Sequence, residues 1–273
     1  MKNGILRKAT GLLVLILLAG TMSPAISAEA SGKTKVKVVS SIDDDGSVTK
    51  FSYDKNTGLL KKESDPSASR TYAYNKDGKM TKMALKGDDT TYYTLGKNGH
   101  VVSSITKGPN AKAGNIYKES FSYRSGKLAS WLLHIDGVQG YSDKTVTGYI
   151  DMTRKVSWKN GRITSIKETT VDTYTGGDKD IKDSRKASRS YAYDKNGMKK
   201  KVKTSDHGEK TTISYKNEYD GKSLSKQTYK EHGYKKVIKF TYKTVEVGAK
   251  YVSAIQKQRK LILWDETWLL PTL

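Results

Sequence analysis

Apolar and polar residues alternate along most of the chain, and polar turns interrupt the alternation at short intervals. Trp131, Leu133 and Ile135 share one face of a run whose other face carries Ser130, Leu132 and His134. In Lys235–Lys243, Ile238, Phe240 and Tyr242 oppose Val237, Lys239 and Thr241. Period-2 runs rich in Thr, Tyr, Val and Ser predict β-strands with two distinct faces. The turns between them share one form: an aromatic-x-aromatic step, a polar turn with Gly, then a new alternating run. Tyr191-Ala192-Tyr193-Asp194-Lys195-Asn196-Gly197 and Tyr72-Ala73-Tyr74-Asn75-Lys76-Asp77-Gly78 are near copies. Related turns follow Phe51-Ser52-Tyr53, Tyr92-Tyr93, Phe121-Ser122-Tyr123, Val156-Ser157-Trp158 and Tyr219, and Asp43-Asp44-Asp45-Gly46 is a degenerate first copy. Asn-Gly or Asp-Gly between alternating runs signals a hairpin, because Gly accepts the positive φ that a side chain resists. A three-residue loop with a bulge sets Tyr74 opposite Met80. Gly78 and Gly197 then occupy left-handed positions.

These eight turns predict an all-β chain: an array of antiparallel hairpins forming one long twisted or partly wrapped sheet, an open shell or half-barrel. Their spacing is too irregular for a propeller or β-helix. Breaker-rich segments at Asp65–Ser69, Gly108–Asn115 and Thr175–Ser188 read as longer loops within one domain. The tail departs from the pattern. Residues 254–273 hold Leu261-Ile262-Leu263-Trp264 and Trp268-Leu269-Leu270-Pro271, with helical character over Ala254–Leu270. The segment reads as an apolar cap over one end of the sheet, or as a docking segment for a protein partner.

Met1–Ala28 reads as a secretion signal. Lys2, Arg7 and Lys8 precede the apolar Leu12–Ala19, Pro24 precedes small residues, and cleavage fits after Ala28 or Ala30. That apolar run is too short for a membrane span. The expected organisation is a signal at 1–28, a hairpin domain at 29–253 and a capping tail at 254–273, in a secreted protein held to the cell wall by charge. No Cys is present, so no lipid anchor is expected and stability rests on core and sheet hydrogen bonds.

Charge adds a functional expectation. The formal net charge is +22; without the three basic residues of the signal, 47 basic and 28 acidic residues leave +19. Most of the excess is Lys, on alternating positions (Lys33, Lys35, Lys37) or after turns (Lys199, Lys200, Lys201, Lys203). Such lysines keep sheet faces soluble and edges unpaired. They also create a long-range field that attracts anionic partners, which outside a cell are wall polymers, acidic glycans and anionic surfaces rather than specific nucleic acid.

The Tyr-Asp-x-x-Gly units at Tyr53-Asp54…Gly58, Tyr74-Asn75…Gly78, Tyr193-Asp194…Gly197 and Tyr219-Asp220-Gly221 resemble the YD repeats of Rhs-type and teneurin-like proteins, in a short exported form covering most of Lys35–Tyr242. Asn75, Arg124 and Lys159 depart from the Asp of that pattern. The resemblance implies one curling antiparallel sheet and, for some members, carbohydrate or heparin binding. The array is too short for a closed shell around a cargo, so an open sheet is expected.

Little points to catalysis. His100, His134, His207 and His232 stand apart, with no HExxH, and no GxSxG, P-loop or GxGxxG occurs. Neither a metal nor a cofactor is expected. Asp43-Asp44-Asp45-Gly46 lacks the Glu of a calcium loop and reads as a turn. Tyrosines at alternating positions fit core packing better than sugar stacking. The leading expectation is a non-catalytic exported binding or surface-structural module for anionic or carbohydrate polymers. A lipid or apolar-ligand carrier with a curved sheet and a cell-wall polymer hydrolase are the alternatives.

Overall fold

The structure, a computed structural model, describes residues 33–108, 116–139, 147–175 and 181–273. The expected signal at 1–28 lies outside these residues, as does most of the loop expected at Gly108–Asn115. The first eight strands are β1 (Lys33–Asp44), β2 (Ser47–Tyr53), β3 (Leu60–Ser64), β4 (Ser69–Tyr74), β5 (Met80–Leu85), β6 (Thr90–Leu95), β7 (Val101–Lys107) and β8 (Ile116–Arg124). The next eight are β9 (Lys127–Gln139), β10 (Thr147–Lys159), β11 (Arg162–Thr175), β12 (Ile181–Tyr193), β13 (Lys199–Asp206), β14 (Glu209–Asp220), β15 (Ser223–Glu231) and β16 (Tyr234–Gly248). Each pairs antiparallel with its neighbours in sequence, and β1 pairs with β16 from Lys33↔Gly248 to Asp44↔Ile238. The sheet therefore closes into a barrel. The open shell or half-barrel expectation is corrected here: the β1–β16 ladder removes both exposed edges, which closure alone achieves completely. The loop expected over Thr175–Ser188 is also corrected, since β12 already begins at Ile181.

The up-and-down order puts alternate turns at opposite ends. Seven of the eight repeat turns share one end, and Asp45-Gly46 lies at the other. Their chemistry explains the repeated sequence. Asn75 N–H bonds to the Lys79 carbonyl, Gly78 has φ +76°, and Tyr74 pairs with Met80 across a bulge. The expected three-residue loop and cross-strand pair are both present. The Asn75 side chain accepts the Asp77 and Lys79 amides, and Asp194 accepts Asn196 and Met198 in the same way. Several aromatic side chains tie neighbouring strands together through backbone carbonyls. Trp158 donates to the Leu128 carbonyl, Tyr193 to Ile163 and Tyr242 to Leu224, each at 2.7 Å. Tyr53 donates to Val39 at 2.6 Å.

The tail fills this end. A 3-10 turn at Ala249–Tyr251 leads into helix α1 (Val252–Leu263), which buries Ile255, Gln258, Leu261, Ile262 and Leu263. That 255/258/262 spacing is one stripe of a 3.6-residue helix. The helix stops in a left-handed cap: Asp265 has φ +53°, its amide bonds to the Ile262 carbonyl, and the Glu266 amide bonds to Leu261. The reversed chain continues as a 3-10 turn, Thr267–Thr272. Trp264, Leu269 and Leu270 are at most 2% exposed and pack against inward strand residues such as Phe51, Leu60, Met80 and Phe240. The tail's apolar side chains thus face the barrel's core, correcting its reading as an exposed docking segment.

Gly58 shows how closely the parts fit. Its φ is +70°, and a Cβ there would lie 2.1 Å from Val247 Cγ1 and 2.9 Å from Ile255 Cδ1. Turn, last strand and helix meet at a point with no room for a side chain.

Candidate anion-binding face

Alternation assigns each strand residue to the lumen or the outside. Inward positions hold the core and a minority of polar groups. Outward positions are mostly polar, with Tyr92, Val102, Ile105 and Tyr149 exposed among them, and on β14–β16 they concentrate lysine. Lys216, Lys226, Lys230, Lys235 and Lys239 line an open trough with Ser214 and Thr228, and Glu218 is its carboxylate. The β13 residues Lys201 and Lys203 sit directly across from Ser214 and Thr212 of β14, extending the basic face by one strand.

The register sets like charges opposite one another. Lys226 faces Lys239 and Lys230 faces Lys235. Directly opposed like charges destabilise a sheet. Only Lys226 has an ion-pair partner among the trough lysines, Glu218 at 2.6 Å, and its ammonium holds that carboxyl below its ordinary range. Another opposed pair, Lys155↔Lys167, lies on β10–β11. The pairs on β15–β16 stand out because they flank one depression.

The Lys199–Lys203 cluster separates in space. Lys200, Lys201 and Lys203 are exposed, but Lys199 points inward and pairs with Glu266 at 2.7 Å. The trough lysines were legible in principle: Lys226-x3-Lys230 and Lys235-x3-Lys239 flank His232-Gly233. A two-residue turn there folds the four onto one face.

Inward polar groups lock the tail in place. The Arg154 guanidinium stacks on Trp131 (4.7 Å) and Trp268 (5.0 Å), and its Nε donates to Glu168 at 2.6 Å. Glu119 accepts from Ser104 and from Trp131 Nε1, and burial pushes its carboxyl upward. Burial also raises Asp194, yet the Tyr219 and Asn217 donors prevail and hold it below the usual carboxylate range.

Glu119 gives a pH prediction. A raised carboxyl takes up its proton in the folded state first, so this group adds stability as pH falls through the folded value towards the ordinary 4.5. Above that window its charged form is a constant penalty. Glu119→Gln should therefore raise the thermal midpoint at pH 7, and its advantage over the parent should vanish near pH 4.5. A midpoint below the parent's at pH 7 would contradict the reading.

The remaining candidates do not assemble. His207 and His232 each open a two-residue turn at φ +47° and +44°. His100 stacks on Tyr123, and His134 pairs with Asp151 at 2.7 Å on the outer face. Among the described residues no group of three or more His, Cys, Asp or Glu could hold a metal ion. In Asp43-Asp44-Asp45-Gly46, Asp43 accepts the Gly46 amide and Asp44 pairs with Lys236, which makes it a turn.

No protein-family model matches the chain, and no curated protein sequence matches it. Among solved structures, the chain is similar to a porin-like protein from Bacteroides vulgatus: 12% identity, TM-score 0.49, covering 76% of this chain and 99% of that one. A porin-like protein from Bacteroides uniformis gives 11% identity and TM-score 0.43, covering 77% and 96%. The Photorhabdus luminescens Tc holotoxin pore gives 13% and 0.29, covering 67% of this chain and 12% of that one. At these identities and scores none carries a functional assignment.

The resemblance to YD-repeat proteins is corrected. No family model supports it, and sixteen strands close directly into a barrel rather than extending a repeat shell. The Tyr-Asp-x-x-Gly pattern arises from turn capping and the aromatic ties between hairpins. Carbohydrate recognition falls with it: Tyr72, Tyr93, Tyr191, Tyr193, Tyr219 and Tyr242 belong to the inward-packed core, not to a stacking face.

Proposed function

We propose that the protein is an exported, non-catalytic binding module that holds an anionic polymer on the lysine trough of β14–β16. The observation that carries this reading is the pair of opposed lysine pairs around one depression containing a single carboxylate. A sheet that needed only solubility would gain more by facing Lys with Glu or Thr. Lys supplies mobile point charges, which suit an irregular polyanion better than a fixed small ligand.

The outer surface also argues against insertion in a bilayer. Lys37, Lys118, Lys155, Lys167, Lys203 and Lys216 occupy outward, exposed positions within strands. A lipid-facing Lys near the membrane midplane costs about 2–4 kcal/mol, and membrane barrels carry an apolar outer band instead. Here most large apolar side chains are inside, with Tyr92, Val102, Ile105 and Tyr149 exposed outside. The carrier alternative loses support because the tail plugs one end of the lumen and leaves only about 250 Å³ beside it.

The test is retention on lipoteichoic acid and heparin at increasing salt. Counterion release makes such binding fall steeply with ionic strength, and the Debye length shrinks from about 10 Å at 0.1 M to about 3 Å at 1 M. Retention at 50 mM salt that is lost by about 500 mM is expected. No retention on either polyanion at 50 mM would overturn the proposal.

A further inference from the structure

A second site lies inside the barrel, in the space the tail leaves against β1–β3 and β14–β16. This cavity of about 250 Å³ is lined on its apolar side by Phe51, Phe240, Ile262 and Trp264 and on its polar side by Asp44 and Lys236. We propose that it binds a small organic ammonium ion with a ring-sized apolar body, through the Asp44 carboxylate.

Charge decides the sign of the ligand. Lys199 reaches the cavity but is held by Glu266 at 2.7 Å, and Lys236 is held by Asp44 Oδ2 at 2.7 Å. Both ammoniums are committed, so an incoming anion would meet no free cation. The other Asp44 oxygen, Oδ1, is buried and has no hydrogen-bond partner. The Asp44 side chain lines the cavity and is 40% exposed, so a ligand ammonium reaches the carboxylate by competing with Lys236 for it. Asp265 also lines the space and has no ion-pair partner among the described residues.

The site already shows how it treats a cation. The Lys236 ammonium lies 5.3 Å from the Tyr229 ring centroid while bound to Asp44, and Tyr215 meets Tyr229 edge-on at 5.7 Å. A carboxylate beside an aromatic face is the arrangement that recognises ammonium groups. At about 30 Å³ per water, the cavity equals roughly eight waters, which limits the ligand to one ring with a short arm. The cavity is lined mainly by inward side chains and the trough mainly by outward ones, with Tyr215 reaching both.

The experiment is isothermal titration of the full chain with phenethylamine, 2-phenylethanol and 3-phenylpropionate, a size-matched cation, neutral and anion. Saturable phenethylamine binding, at least tenfold tighter than for the other two, is expected. Asp44→Asn should weaken it at least tenfold. Lys236→Met, which removes the competing ammonium and retains the stem, should strengthen it, so the proposal is testable even where Asp44→Asn alters the fold. Equal affinity for all three compounds, no saturable binding of the amine, or an Lys236→Met variant that binds it more weakly would overturn the inference.

Discussion

Trp264→Ala is expected to destabilise the protein by about 3–5 kcal/mol, the usual cost of truncating a large buried aromatic. Trp264 is 2% exposed and stacks at a tilt on Tyr193, 5.3 Å between centroids. Its Nε1 donates to the Gly197 carbonyl at 2.9 Å, and the Lys260 ammonium lies over its ring at 4.7 Å. Truncation therefore opens a cavity and leaves a turn carbonyl without its donor at the same point. The plugged barrel depends on this contact, because the β12–β13 turn meets the tail there. Urea denaturation should show the midpoint falling with the slope unchanged. A loss under about 1 kcal/mol would mean that the tail does not hold the barrel end together.

The second large effect concerns the buried ion pair. Glu266 and Lys199 have side chains 4% and 11% exposed, so neither charge has water to fall back on. Glu266→Leu should cost about 3–5 kcal/mol by leaving the Lys199 ammonium buried and unpaired. Combining it with Lys199→Met should recover most of that loss, since two apolar groups of similar size need no partner. Recovery will stop about 1 kcal/mol short, because Trp268 Nε1 also donates to Glu266 at 2.8 Å. A double variant as unstable as Glu266→Leu would show that the pair does more than neutralise itself.

Local turn chemistry was legible in the sequence, and closure was not. Asn75, Gly78, Tyr74 and Met80 encode their hairpin within nine residues, so turn type, register and bulge followed from propensity and alternation. Pairing of Lys33–Asp44 with Ile238–Gly248 joins segments about 200 residues apart, and no local pattern marks it. What permits it is that every strand carries an inward apolar face and that Leu261–Leu270 supplies the mass to fill the space enclosed. The tail's hydrophobicity was plain, but alternation alone does not say whether such a segment covers a sheet or sits within it. The candidate site was harder still. Lys199 and Lys200 are adjacent in sequence, yet only the register shift at Ala192/Tyr193 shows which one turns inward. Which lysines share the trough depends on which strands are neighbours.

The proposed function assigns binding to one face of the barrel and not to net charge. Two charge-matched variants separate these. One carries Lys216→Gln, Lys230→Gln, Lys235→Gln and Lys239→Gln, and the other carries Lys62→Gln, Lys118→Gln, Lys127→Gln and Lys167→Gln, all at exposed positions. Exposed polar replacements of this kind leave stability within about 0.5 kcal/mol each. The measurement is lipoteichoic acid affinity for both variants and the parent at 50 mM salt. At least a hundredfold loss is expected for the trough variant, with a shallower salt dependence, and less than tenfold for the other. Equal losses would contradict that assignment and reduce the lysines to a diffuse positive field.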